Sequence, residues 1–166
     1  NGYVEFEIKN GNGKGKEYDY ENGKLIFEGE YLNGIRWNGK GKVYGYNGKI
    51  IFEGEYFNGI RNGKGKEYDY YNDKLIFEGE YLNGIRWNGK GAEYNNFGQL
   101  ILEEEYLNGK RNGKGKEYHN NGNLKFEGEY FNGEKNGKGK EYHNNGNLKF
   151  EGEYLNGKKN GKGKKY

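Results

Sequence analysis

The string Phe-Glu-Gly-Glu-Tyr begins at Phe27, Phe52, Phe77, Phe126 and Phe150, and a degenerate Leu-Glu-Glu-Glu-Tyr begins at Leu102. Successive starts lie 25, 25, 25, 24 and 24 residues apart. Counting back once more from Phe27 reaches Gly2, where Glu5-Phe6 stands for Glu-Tyr. Such self-similarity predicts an array of equivalent units, each burying its apolar face against its neighbours. The units start near residues 2, 27, 52, 77, 102, 126 and 150, the first degenerate and the last truncated, and form one continuous array over 1–166. Residues 12–41 nearly repeat as 62–91, and 112–135 as 136–159, so the array grew by duplication of blocks.

Within a unit the pattern has period two. In Phe52-Glu53-Gly54-Glu55-Tyr56 the rings and the glycine share one face and the carboxylates the other, as in a half-buried strand. Gly63-Lys64-Gly65-Lys66 follows after a turn. An antiparallel hairpin that sets Tyr56 opposite Gly63 and Gly54 opposite Gly65 also sets Glu55 opposite Lys64 and Glu53 opposite Lys66. Glycine would strip side chains from the face on which the rings lie. Asn-Gly at Asn33-Gly34, Asn58-Gly59, Asn83-Gly84, Asn108-Gly109, Asn132-Gly133 and Asn156-Gly157 supplies the tight reversal. No segment carries an apolar stripe of helical period. The expected fold is therefore all-β: an elongated, single-layer antiparallel β-meander of stacked hairpins. About fourteen strands at ~4.8 Å would give a sheet about 65 Å long that twists and curls into a trough.

Composition removes most chemistries. The chain has 33 Gly, 18 Tyr and 9 Phe but no Cys, Ser or Thr, so it lacks thiol and hydroxyl nucleophiles other than Tyr, zinc-thiolate sites and disulfides. Net charge is only +3. The Glu and Lys residues recur unit after unit as cross-strand partners, which reads as structure and not as a general acid and base. No enzymatic activity and no cofactor are expected.

Phe52-Glu53-Gly54-Glu55-Tyr56, then Asn58-Gly59, then Asn62-Gly63-Lys64-Gly65, resemble the MORN repeat: aromatic-Glu-Gly-Glu-aromatic, a turn glycine and a later Gly-x-Gly. The likeness covers nearly the whole chain, although these units are a residue or two longer than usual and open on Phe where Tyr is common. The resemblance implies a non-enzymatic scaffold for membrane-associated or cytoskeletal assemblies. Such a scaffold binds a protein partner or another copy of itself, and the resemblance also allows a peripheral module that binds anionic phospholipid or phosphoinositide, or a regulatory segment of a larger enzyme. A groove for a partner segment would lie on the aromatic face, with the Glu/Lys face kept for solubility.

Four departures from the repeat are candidate sites. Trp37 and Trp87 are insertions into the hairpins of two units and could dock a partner or a lipid interface; covering the edge of the next hairpin, near Ile60, is the structural alternative. Glu104 replaces the packing glycine where Leu102 replaces Phe, either as a worn junction between duplicated blocks or as a concavity meeting a basic partner. On the junction reading, Glu104→Gly should raise stability. Lys158, Lys159, Lys162, Lys164 and Lys165 concentrate positive charge at the end of the chain and could meet anionic lipid or guard an edge strand; nucleic acid is a poorer partner. His119 and His143 are one unit apart, about 10 Å at two strand spacings, too far to share a metal ion. The absence of an initiator Met and the incomplete last unit lead us to expect a fragment of a longer protein.

Overall fold

The computed structural model describes residues 7–20 and 22–166. The degenerate opening of the first unit, with Glu5-Phe6, lies outside the described residues. The strands are β1 (Glu7–Lys9), β2 (Asn12–Tyr18), β3 (Leu25–Leu32), β4 (Ile35–Tyr44), β5 (Ile50–Phe57), β6 (Ile60–Tyr68), β7 (Leu75–Leu82), β8 (Ile85–Tyr94), β9 (Leu100–Leu107), β10 (Lys110–Tyr118), β11 (Leu124–Phe131), β12 (Glu134–Tyr142), β13 (Leu148–Leu155) and β14 (Lys158–Lys165). They make a 14-stranded antiparallel sheet in which strand order is chain order. No helix occurs among the described residues.

Local geometry follows the turn chemistry. Asn33 and Gly34 have φ of 52° and 78°, and Asn58 and Gly59 have 51° and 78°, the left-handed pair that a two-residue hairpin needs. Each turn also docks on the preceding hairpin: the Gly59 N–H donates to the Trp37 carbonyl and the Gly84 N–H to the Arg61 carbonyl, both at 2.9 Å.

The register corrects the sequence expectation in one respect. Gly54 pairs with Gly65 and Glu53 with Lys66 as expected, but Tyr56 faces Arg61 rather than Gly63. A bulge over 62–64 intervenes, and Glu55 fills it, its carboxylate accepting the Lys64 backbone N–H at 2.9 Å. The second motif glutamate thus satisfies a donor that the bulge strands. Glu105 does the same for Lys114 N–H at 3.0 Å. The register expected inside the hairpin occurs between hairpins: Gly63, Lys64, Gly65 and Lys66 face Tyr81, Glu80, Gly79 and Glu78. The Trp insertion shortens the bulge. In the β3–β4 hairpin Gly29 faces Gly39 and Glu30 faces Asn38, whose Nδ2 donates to Glu30 at 2.8 Å.

The chain divides into two compact units, residues 1–86 and 87–166. In the first, the cores are Phe27, Phe52 and Phe77, at most 1% exposed. Each ring meets a Tyr edge-on, Phe27 against Tyr31 and Tyr56 at 5.3 and 6.1 Å and Phe52 against Tyr56 and Tyr81 at 5.9 and 5.4 Å. The rings lie on bare backbone: a Cβ on Gly65 would stand 3.0 Å from both Phe52 and Tyr81. In the second unit Phe126 sits likewise between Tyr130 and Tyr154, at 5.8 and 5.4 Å.

A cation closes each ring from above, Arg61 over Phe52 at 3.9 Å and Lys135 over Phe126 at 3.7 Å. The carboxylate that follows the Gly-Lys repeat holds both the cation and the next Tyr. Glu17 accepts from the Tyr31 hydroxyl at 3.0 Å and from Arg36 Nε at 2.8 Å; Glu117 accepts from Tyr130 at 2.7 Å and pairs with Lys135 at 3.0 Å. The bond from Arg36, against partial burial, holds the Glu17 carboxyl below its ordinary range. Burial raises Glu117, but the bonds from Tyr130 and Lys135 outweigh it and leave that carboxyl low as well. Burial, then the bond to Glu17, pushes Tyr31 up to about 12.

Candidate binding surfaces

The first unit carries an open groove of about 620 Å³ on its Glu/Lys face, spanning β3 to β7. Paired glycines run along its floor, Gly41 facing Gly54, Gly54 facing Gly65 and Gly65 facing Gly79. Two rows of alternating charge flank them. Lys42, Glu53, Lys66 and Glu78 form one row by direct pairing, with ion pairs of 3.6 Å from Lys42 to Glu53 and 3.1 Å from Lys66 to Glu78. Lys40, Glu55, Lys64 and Glu80 form the other. The groove is therefore on the face opposite to the one anticipated. The ring face is filled by its own Phe and Tyr side chains, which lie over the glycines, whereas on the Glu/Lys face the backbone of that glycine row lies open between two charged walls.

Glu104 is 4% exposed. Its Oε1 accepts the Tyr106 hydroxyl at 2.6 Å. Arg111 Nε lies against Oε2 and its Nη2 is 3.5 Å from Glu93. Oε2 accepts no hydrogen bond of good geometry and is held by charge. A partner could reach this carboxylate only by displacing Tyr106 and Arg111. The basic group that meets Glu104 belongs to the same hairpin.

Trp37 and Trp87 are half-buried. Their carbonyls accept the turn N–H of Gly59 and Gly109, each at 2.9 Å, and the Trp37 ring lies 3.8 Å from where a Gly59 Cβ would stand. Lys158, Lys159, Lys162, Lys164 and Lys165 are all exposed on β14. Lys159 differs from the rest, reaching Glu141 at 2.8 Å and covering the Phe150 ring at 4.2 Å. His119 lies in the β10–β11 connection, where its Nε2 donates to the Tyr142 carbonyl at 3.1 Å. Among the described residues no cluster of His, Asp or Glu is placed to hold a metal ion.

Sequence reasoning reads the loops at the other end of the hairpins, such as those at Asn22-Gly23, Asn47-Gly48, Asn72-Asp73 and Phe97-Gly98, as turns alone and gives their rings no role. Tyr20, Tyr46 and Tyr71 stand there almost fully exposed in the first unit, as does Phe97 in the second. The signal was available, since each follows a strand-ending Tyr by two or three residues.

The family model for the MORN repeat matches residues 52–70, 105–124, 126–148 and 150–166. No curated protein matches the chain. The β3–β4 and β7–β8 hairpins, which carry the inserted Trp residues, fall outside the matched stretches. The fold and register nevertheless continue through β3 and β4, so the matches and the repeated hairpin geometry together show that this chain belongs to the MORN-repeat family.

Proposed function

We infer that the chain is a non-enzymatic repeat scaffold whose first unit holds an extended segment of a partner protein in the groove on its Glu/Lys face. The observation that carries this reading is the groove itself: a floor of open strand backbone between walls that present both signs of charge. Alternating Lys and Glu fix the register of a mixed-charge segment and reject a strongly acidic or strongly basic one. The chemistry around it is that of packing, since the carboxylates are engaged with Lys, Tyr hydroxyls or bulge N–H groups.

Cross-linking mass spectrometry on protein purified from its native source tests the reading. Cross-links from Lys40 and Lys64 to one partner are expected, and they should disappear in a chain carrying Lys42→Glu and Lys66→Glu, which reverses wall charge and leaves both reporting amines in place. Partner cross-links confined to residues outside 25–80, or unchanged in that variant, would overturn it.

A further inference from the structure

The groove is banded by strand. Lys40 and Lys42 stand on β4, Glu53 and Glu55 on β5, Lys64 and Lys66 on β6, and Glu78 and Glu80 on β7. Both walls thus carry the same sign at each strand, and along the groove that sign recurs every second strand, about 9.6 Å. The walls stand close together, since Glu53 and Glu55 are two residues apart on β5, about 6.7 Å. Between them the floor is bare: a Cβ on Gly54 or Gly65 would point to the other face, 2.8 and 3.0 Å from the Phe52 ring.

These dimensions select the conformation of the occupant. An α-helix, about 10–12 Å across, is too wide to settle between the walls. A β-strand would lie across strands whose N–H and C=O groups are engaged in the ladder, as where Gly54 pairs with Gly41 on one side and Gly65 on the other. Its side chains on one edge would also recur every ~6.7 Å and lose step with the charges within one repeat. A polyproline II helix has three residues per turn at about 3.1 Å each, so every edge recurs at ~9.3 Å, within ~0.3 Å of the groove's own repeat. Its backbone needs no ladder partner, and proline removes an N–H that would otherwise seek one.

We propose that the groove takes a polyproline II segment of a partner protein in which a small residue, an acid and a base recur every three residues. The small residue, Pro or Ala, faces the floor. The acid lies over the lysines of β4 and, one turn on, over those of β6, while the base, ~3.1 Å further along, reaches the glutamates of β5 and β7. Because the two walls agree in sign at each strand, either running direction fits. This assignment rests on the groove being the partner site, and it adds the conformation and the period of the segment.

The test is fluorescence anisotropy of the full chain with two end-capped, labelled peptides of identical composition. One is Pro-Glu-Lys repeated four times; in the other the same Glu and Lys residues alternate in one block and the Pro residues follow. The first should bind saturably, at least tenfold more tightly than the second, and at least tenfold more weakly to a chain carrying Lys42→Glu and Lys66→Glu. Comparing the peptides needs no protein variant, so that arm holds even if the charge reversal disturbs the sheet. If both peptides bind alike and both weaken in the reversed chain, the groove remains a site for mixed-charge segments and the three-residue period is overturned. Binding that the reversal leaves unchanged puts the peptide outside the groove and overturns the proposal as well. Absence of saturable binding by the Pro-Glu-Lys peptide overturns this proposal alone, and the cross-links of the native partner still decide the groove.

Discussion

Glu104 occupies, above its own strand, the space that an aromatic ring takes in the other hairpins, and it fits because Leu102 ends short of it. At the equivalent place in β11 a Cβ on Gly128 would lie 2.7 Å from Phe126 Cζ. In β9 the ring is gone, the glycine has become glutamate, and the cation that would cover the ring, Arg111, pairs with the carboxylate. A cation over an aromatic face has been exchanged for a buried ion pair.

A double-mutant cycle measures this exchange. The expectation that Glu104→Gly raises stability assumed a carboxylate without partners; with Tyr106 and Arg111 on it, the expected change is a loss of about 1–3 kcal/mol. Leu102→Phe alone should cost a similar ~1–3 kcal/mol by driving the ring into Glu104. Together they restore the common motif, so the double variant should be more stable than the sum of the two predicts by at least ~1 kcal/mol. Additive urea-denaturation midpoints would refute the compensation.

The bulge offers a separate test at Glu55. Glu55→Gln keeps an oxygen for the Lys64 N–H and should leave stability nearly unchanged, whereas Glu55→Ala should cost about 1 kcal/mol. If the motif glutamate acted chiefly through charge, the two variants would fall together, and the thermal midpoint of the Gln variant would drop with that of the Ala variant.

Close approach of backbone and ring predicts a contrast between glycines. A Cβ at Gly54 would stand 2.8 Å from Gly65 Cα, Lys64 O and Phe52 Cζ, so Gly54→Ala should cost about 1–3 kcal/mol. Gly48 has φ of +71° and nothing within 4 Å, and Gly48→Ala should cost about 1 kcal/mol or less. Equal losses in calorimetry would mean that turn strain, not ring packing, fixes the glycines.

Stability should fall at both extremes of pH. Glu17, Glu117 and Glu141 titrate below their ordinary value of 4.5 in the folded chain, so their contribution is complete above pH 4.5 and disappears as pH falls toward the lowered values. Tyr31, Tyr118 and Tyr142 are raised from 10.0 to about 12, so their contribution is complete below pH 10 and disappears as pH rises through about 12. Absorbance titration at alkaline pH should show tyrosines that ionise only together with loss of the β-sheet circular dichroism. Complete tyrosine ionisation with the sheet signal intact would contradict the phenol–carboxylate bonds as structural.

Much of this was legible in order of residues alone. The repeat length, the alternation of Phe, Gly and Tyr with Glu, and the Asn-Gly dipeptides determined the strands, the turns and the division into a ring face and a charged face, because each depends on near neighbours in the chain. Three features needed the tertiary structure. The bulge at 62–64, which moves Tyr56 onto Arg61, arises where two strands of unequal length must close one turn, and period-two reasoning counts no extra residue. The groove fell on the Glu/Lys face because whether a face is hollow depends on how far the rings of one hairpin reach over the glycines of the next. The burial of Glu104 likewise rests on Arg111 coming back across the sheet to meet it, a pairing that spacing along the chain does not encode. Sequence sets which side chains share a face; the packing of one hairpin on the next decides which of those faces is filled and which is left open.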